Sequence, residues 1–159
     1  MQRKALQDYY PGNHCWGCGI ANDGGLQIKS YIEGDEVVCR WTPHPEHATW
    51  LRDYTNGGII ATIMDCHSIW TAIARAYEAE GRALDSQPNI TYVTASLTLS
   101  YLRPTPLAGE LTLRSRVTQL EGKKGLVVCT LYAGGEECVK SELLGIRVAD
   151  GWGRDKGQL

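Results

Sequence analysis

The run Asn56-Gly57-Gly58-Ile59-Ile60-Ala61-Thr62-Ile63-Met64-Asp65 decides how the rest of the chain is read. From Ile59 the large apolar side chains recur at Ile63, Cys66, Trp70, Ile73 and Tyr77. These steps of three and four mark one face of a helix, here ending near Gly81. A second row, Ile60, Met64 and Ala74, widens that face until the first half of the helix has little surface left for water. Such a helix belongs inside a domain, with a sheet around it. Two features do not suit a plain core helix. It opens on two glycines, which are poor helix formers but leave N–H groups open to an approaching oxyanion. Asp65 then falls between Met64 and Cys66, where a carboxylate is costly unless partnered and is well suited to act as a base or nucleophile. The plainer alternatives are an ordinary loop-to-helix junction and an Asp that faces solvent.

On both sides of the helix the period changes from helical to alternating. Residues 26–32 alternate apolar with polar, Gly34-Asp35 turns, and residues 37–41 return as a hairpin partner. Residues 43–54 form a polar, aromatic-bearing loop leading into the helix. Behind it, a connection through Asp85, Ser86 and Pro88 reads as the most mobile segment. Four more strands follow at 93–101, 111–120, 126–132 and 138–148, separated by Pro104 and Pro106, by Gly122 to Gly125, and by Gly134-Gly135. The expected class is therefore α+β, one curved antiparallel sheet wrapped around a long central helix. It forms a single domain over 1–159, with a core of about 15–148 and a tail, 149–159, expected to fray, with only Trp152 able to pin it down. Such a sheet leaves an edge strand open, and pairing it with a second copy is one remedy.

Composition narrows the partners. With 159 residues, a net charge of −2 and no basic run, nucleic acid is not an expected partner. No apolar run reaches the ~18 residues that span a bilayer, and residues 1–8 lack a signal peptide's apolar segment. The expectation is a cytoplasmic chain with no membrane partner and six reduced cysteines, of which Cys39, Cys66 and Cys129 sit in apolar stretches as core residues do. Residues 1–13 read as a peripheral turn or short helix stopped by Pro11-Gly12. In His14-Cys15-Trp16-Gly17-Cys18-Gly19, the C-x-x-C pair suggests half a zinc site or a redox couple. No second pair of matching spacing follows, so a packing or turn role is expected and no metal site is assigned.

The order of elements, the Asn56-Gly57-Gly58-(six residues)-Asp65 run and the later Tyr101-Leu102-Arg103-Pro104 together resemble the hotdog-fold thioesterases of the PaaI-like group. Leading Cys-x-x-Cys-Gly segments also occur in part of that group. The resemblance covers residues 15–148. It implies hydrolysis of an acyl-CoA thioester at a site shared between subunits of a homodimer, or of a dimer of dimers. No cofactor is implied beyond the coenzyme A of the substrate. The backbone N–H that polarises the thioester carbonyl falls on Gly57, the acidic base or nucleophile on Asp65, and a water-placing hydroxyl on Thr94. From their chemistry, Gly58, Arg103 and Trp50 are further substrate-side candidates, Arg103 with Lys123 and Lys124 for CoA phosphates and Trp50 for the acyl pocket, while Trp70 is expected to pack in the core. Two positions depart from the family pattern. The helix-opening His is Asn56, which hydrogen-bonds but does not titrate. An Asn found six residues before it in some members is Trp50, and Asn56 is the candidate to supply the missing amide.

Spacing alone adds one constraint. Gly57 and Asp65 lie eight residues apart, or ~12 Å along a helix axis, while reacting atoms must approach to ~3–3.5 Å. If both act on one thioester, Asp65 must come from a second, antiparallel subunit. Two other functions use the same fold. A dehydratase or hydratase normally needs a His at the Asn56 position, and a non-catalytic acyl-CoA binder or sensor has no need of a carboxylate in an apolar wall. His67, two residues after Asp65 and about 200° round the helix, is expected to pack or hydrogen-bond elsewhere.

Overall fold

The computed structural model describes residues 3–153. The alternating stretches fold as β1 (Ser30–Glu33), β2 (Glu36–Trp41), β3 (Thr91–Tyr101), β4 (Leu111–Glu121), β5 (Lys124–Ala133) and β6 (Glu136–Val148), and the periodic stretch as α1 (Gly57–Ala79). The strands make one antiparallel sheet in the order β1-β2-β4-β5-β6-β3, curved around α1. This is the hotdog arrangement expected from the sequence.

The helix is central because its apolar faces nearly close around it. Ile60, Ile63, Met64, Cys66, Trp70, Ile73 and Tyr77 are all buried, against Val37 and Cys39 of β2, Leu111 and Leu113 of β4, and Val127, Cys129 and Leu131 of β5. Asn56 caps its start, and Gly81, at φ +62°, ends it. The Gly81 N–H bonds to Glu78 O and the Arg82 N–H to Tyr77 O, the paired closure of a Schellman motif that a left-handed glycine allows. By length and composition alone α1 is also long and apolar enough to cross a membrane, as a buried core helix can be. The sequence expectation that no apolar run is long enough is corrected here, because α1 stays apolar enough on average despite Asp65, His67 and Arg75. In this fold the helix is wrapped by the sheet.

Three local expectations need correction. Residues 26–29 are not strand: Gln27 sits at φ +49°, which breaks the extended backbone although Leu26 and Ile28 are buried. The N-terminal segment is not peripheral. Its 3₁₀ turn, Leu6–Tyr9, is buried at Leu6 and Gln7, and Gln7 grips Ser30 twice, donating to its Oγ at 3.0 Å and accepting from its N–H at 2.8 Å. In β3 the strict alternation fails because a bulge between Thr94 and Ser96 leaves Ala95 unpaired and exposed. At the tail, Trp152 is 64% exposed and pins nothing, while the fraying expected of 154–159 falls outside the described residues. As β3 is the last strand of the sheet, its eleven residues present a free edge within the protomer.

Candidate active site

The residues singled out on α1 occupy two separate places. At the helix start, Asn56 Oδ1 accepts from the Gly58 N–H at 2.8 Å and from the Ile59 N–H at 3.4 Å. The cap orients the amide, so Nδ2 is left as a free donor, and among the described residues it meets no acceptor. The Gly58 N–H is consumed by the cap, and a Cβ on Gly58 would stand 3.1 Å from Asn56 Oδ1. The Gly57 N–H, by contrast, has no hydrogen-bond partner among the described residues. The Gly57 carbonyl is held instead, by the Tyr101 hydroxyl at 2.8 Å. This half of the site therefore offers two uncommitted donors, Gly57 N–H and Asn56 Nδ2, at the positive end of a 23-residue helix.

Two turns further on, Asp65 is half-buried and accepts a 2.6 Å hydrogen bond from the Thr94 hydroxyl of β3. The bulge that follows Thr94 belongs to this contact, since bulges re-aim side chains at strand edges. Burial lifts the Asp65 carboxyl above its ordinary range, the Thr94 hydroxyl counteracts that, and the nearby Cys15 sulfur adds to the rise. Both residues line a cavity of about 830 Å³ whose apolar wall includes Tyr10, Ile69, Trp70, Ile73 and Val93. Neither Gly57 nor Asn56 lines it. Within one protomer, the carboxylate and the open N–H group serve different spaces.

His67 lies wholly inside the protein, on another face of the helix. Its Nε2–H reaches Val37 O at 3.0 Å and Ser115 Oγ at 2.9 Å, and its Nδ1 accepts from Ser30 Oγ at 2.8 Å, so the ring is the neutral Nε2–H tautomer. Burial holds its pKa down at about 4. The expectation that it packs and hydrogen-bonds elsewhere agrees with this geometry.

The substrate-side candidates are scattered. Trp50 is 88% exposed in the loop before the helix, and Arg103, also exposed, is ion-paired with Glu136 beyond the end of β3. Lys123 and Lys124 are exposed at the β4–β5 turn. Sequence reasoning missed four residues. Tyr101, quoted above only as part of a strand motif, closes on Gly57. Tyr9 and Tyr10 line the cavity because the N-terminal segment is not peripheral. Cys66, read as core, meets Cys15 across 3.6 Å between sulfurs and gathers with Cys18, all three Sγ atoms lying within 4.8 Å of one another. In this cluster, hydrogen bonds from Cys18 and Cys66, then from the Cys18 and Gly17 backbone, pull the Cys15 thiol well down, while the thiols of Cys18 and Cys66 are pushed up. The C-x-x-C was a sufficient signal for the first two, but nothing local announced the third.

Comparison with known proteins converges on one family. Residues 53–140 match the family model of the thioesterase superfamily. Among curated proteins, the acyl-coenzyme A thioesterase THEM4 of Mus musculus is 30% identical over 96 residues, covering 60% of this chain and 36% of that protein. THEM4 of Bos taurus is 25% identical over 130 residues, covering 80% and 48%. The chain thus spans less than half the length of these relatives. Among solved structures, a thioesterase superfamily protein of Shewanella loihica PV-4 superposes with a TM-score of 0.68 at 29% identity, over 90% of this chain and 99% of that one. The E. coli PaaI protein shares the fold at 13% identity, with a TM-score of 0.64 over 79% and 82%.

Proposed function

Because the chain belongs to the thioesterase superfamily, we propose that it hydrolyses an acyl-CoA thioester to the free acid and coenzyme A, at a site made by two copies of the chain. The observation that carries this reading is the unequal state of the two half-sites. Asp65, braced by Thr94, faces a large cavity with an apolar wall, whereas the open Gly57 N–H stands ~12 Å away along the same helix axis. A partner protomer with its helix antiparallel closes that gap twice, giving two equivalent sites, and the free edge of β3 is the surface that supports such pairing.

In this reading the thioester carbonyl oxygen accepts from the Gly57 N–H of one copy, with Asn56 Nδ2 as a second donor in place of a family histidine. Aligned donors at a helix start stabilise charge that develops on that oxygen, and each is worth ~10²–10³ in rate. Asp65 of the other copy attacks the acyl carbon or takes a proton from the attacking water, and the Thr94 hydroxyl fixes its rotamer. The acyl group occupies the cavity beside Trp70, and exposed Arg103, Trp50 and the space over Gly58 belong to the coenzyme's approach. Coenzyme A enters only as part of the substrate, and no resident cofactor is invoked.

A panel of short, long and aromatic acyl-CoAs, read by thiol release, tests the activity. The shared site is tested by complementation. Gly57→Pro deletes the N–H at the first helical position, the one place in a helix where proline is well accommodated, and Asn56 already has the extended backbone a preceding residue needs, at φ −59° and ψ 134°. Each of Gly57→Pro and Asp65→Ala alone is expected to be inactive. Co-expressed, they are expected to recover activity through dimers that carry one intact site. Failure to complement, with both variants folded and dimeric, overturns the shared site.

A further inference from the structure

We infer that Cys15, Cys18 and Cys66 form a binding site for a thiophilic cation of the zinc type. The site lies in the wall of the same cavity that Asp65 faces. Three sulfurs converge there from two elements distant in sequence: the Cys15-Trp16-Gly17-Cys18-Gly19 loop and the middle of α1. Sulfurs bound at ~2.3 Å to one tetrahedral zinc stand ~3.8 Å apart. Here Cys15 and Cys66 are 3.6 Å apart and all three lie within 4.8 Å, so closing on an ion needs only side-chain adjustment.

The surroundings are built for sulfur that carries charge. The Trp70 indole N–H donates to Cys18 Sγ at 3.2 Å, and Asn13 Nδ2 approaches the same sulfur at 3.6 Å. Donors around a ligand atom orient it and stabilise its anionic, metal-binding form. The loop is also closed too tightly to be an incidental turn. A Cβ on Gly17 would meet Cys66 Sγ at 2.5 Å, and one on Gly19 would meet the Asn13 and Cys15 backbone at 2.4–2.6 Å. Gly17 lets the loop press onto α1 beside Cys66, and Gly19 lets the loop close on its own backbone around Cys15. A turn serving packing alone has no need of a third thiol or of N–H donors aimed at sulfur. Three protein ligands leave the fourth position of a tetrahedral ion for water or an exogenous donor from the cavity.

The inference is independent of the thioesterase reading, and its test does not use activity. The reduced full chain, stripped with a chelator under anaerobic conditions, is titrated with Co²⁺ and then Zn²⁺. One equivalent per chain is expected, with thiolate-to-cobalt charge-transfer absorption that zinc bleaches. Cys66→Ser and Cys15→Ser are each expected to weaken zinc binding by at least ~100-fold, the upper end of the loss that an outer-shell partner alone produces. Cys39→Ser, outside the cluster, is expected to change nothing. Should the Ser variants not fold, alkylation of the wild type mapped by mass spectrometry gives the same answer: zinc is expected to protect Cys15, Cys18 and Cys66 together. The inference is overturned if the reduced chain takes up no stoichiometric zinc or if Cys66→Ser binds as tightly as the wild type. It is equally overturned if zinc leaves the three thiols unprotected, or if air oxidation to a Cys15–Cys18 disulfide is the cluster's only chemistry.

Discussion

Asp65 and His67 stand two residues apart on one helix, and both bring a polar group into an apolar interior. The protein treats them in opposite ways. Both ring nitrogens of His67 are engaged, by Ser30, Val37 and Ser115, and no solvent reaches it. Asp65 receives a single hydrogen bond among the described residues, and the rest of its carboxylate looks into an open cavity. A buried polar group with every valence filled holds the fold together, because each partner would be orphaned by its loss. One left partly unfilled beside a cavity is available for chemistry. Degree of satisfaction, rather than burial, separates the structural residue from the one we propose as catalytic.

That contrast can be broken at either end. The largest effect is expected at Asp65. Asp65→Asn keeps the Thr94 contact and the volume but removes the base, and turnover is expected to fall by ~10³-fold or more in a thiol-release assay, in line with the larger general-base contributions. The melting temperature should stay near that of the wild type. A variant with near-normal turnover removes Asp65 from the mechanism. At His67 the effects should be inverted. His67→Ala is expected to lower unfolding free energy by about 3 kcal/mol in urea titrations, since it opens a cavity and strands Ser30 and Ser115.

The pH dependence of stability sharpens the same comparison. The folded His67 has its pKa at about 4, below the ordinary 6.5, so the unfolded chain takes up the proton first. Its neutral-state stabilisation is complete above pH 6.5, is lost as pH falls towards 4 and levels off below, with a total on the order of 3 kcal/mol. Urea titrations across that window check it, and the acid slope should shrink in His67→Ala. The smallest effect is expected at the exposed cap: Asn56→Ala should cost about 1 kcal/mol of stability, and Asn56→Gly only a few tenths. If Asn56 Nδ2 also serves the carbonyl, turnover falls in both variants alike, which separates capping from catalysis.

What was legible in the sequence was legible for a local reason. The steps of three and four from Ile59 to Tyr77, the alternation in the strands and the turn glycines at 34, 122, 134 and 135 repeat over a few residues, so a window of sequence contains them whole. The helix with its glycine-rich start and its inward acid was therefore readable, and with it the fold. Where one residue broke the period, as at Gln27 and at the bulge beside Thr94, the reading overran, because a single backbone kink has no periodic signature. The sequence by itself determined the elements and the residue types capable of chemistry. Only the tertiary structure decided which of them meet. The Thr94–Asp65 bond joins residues 29 apart and the Cys15–Cys66 contact residues 51 apart. Such meetings depend on strand order and on how a loop seats against the helix, and these are settled by the packing of the whole chain rather than by any stretch of it.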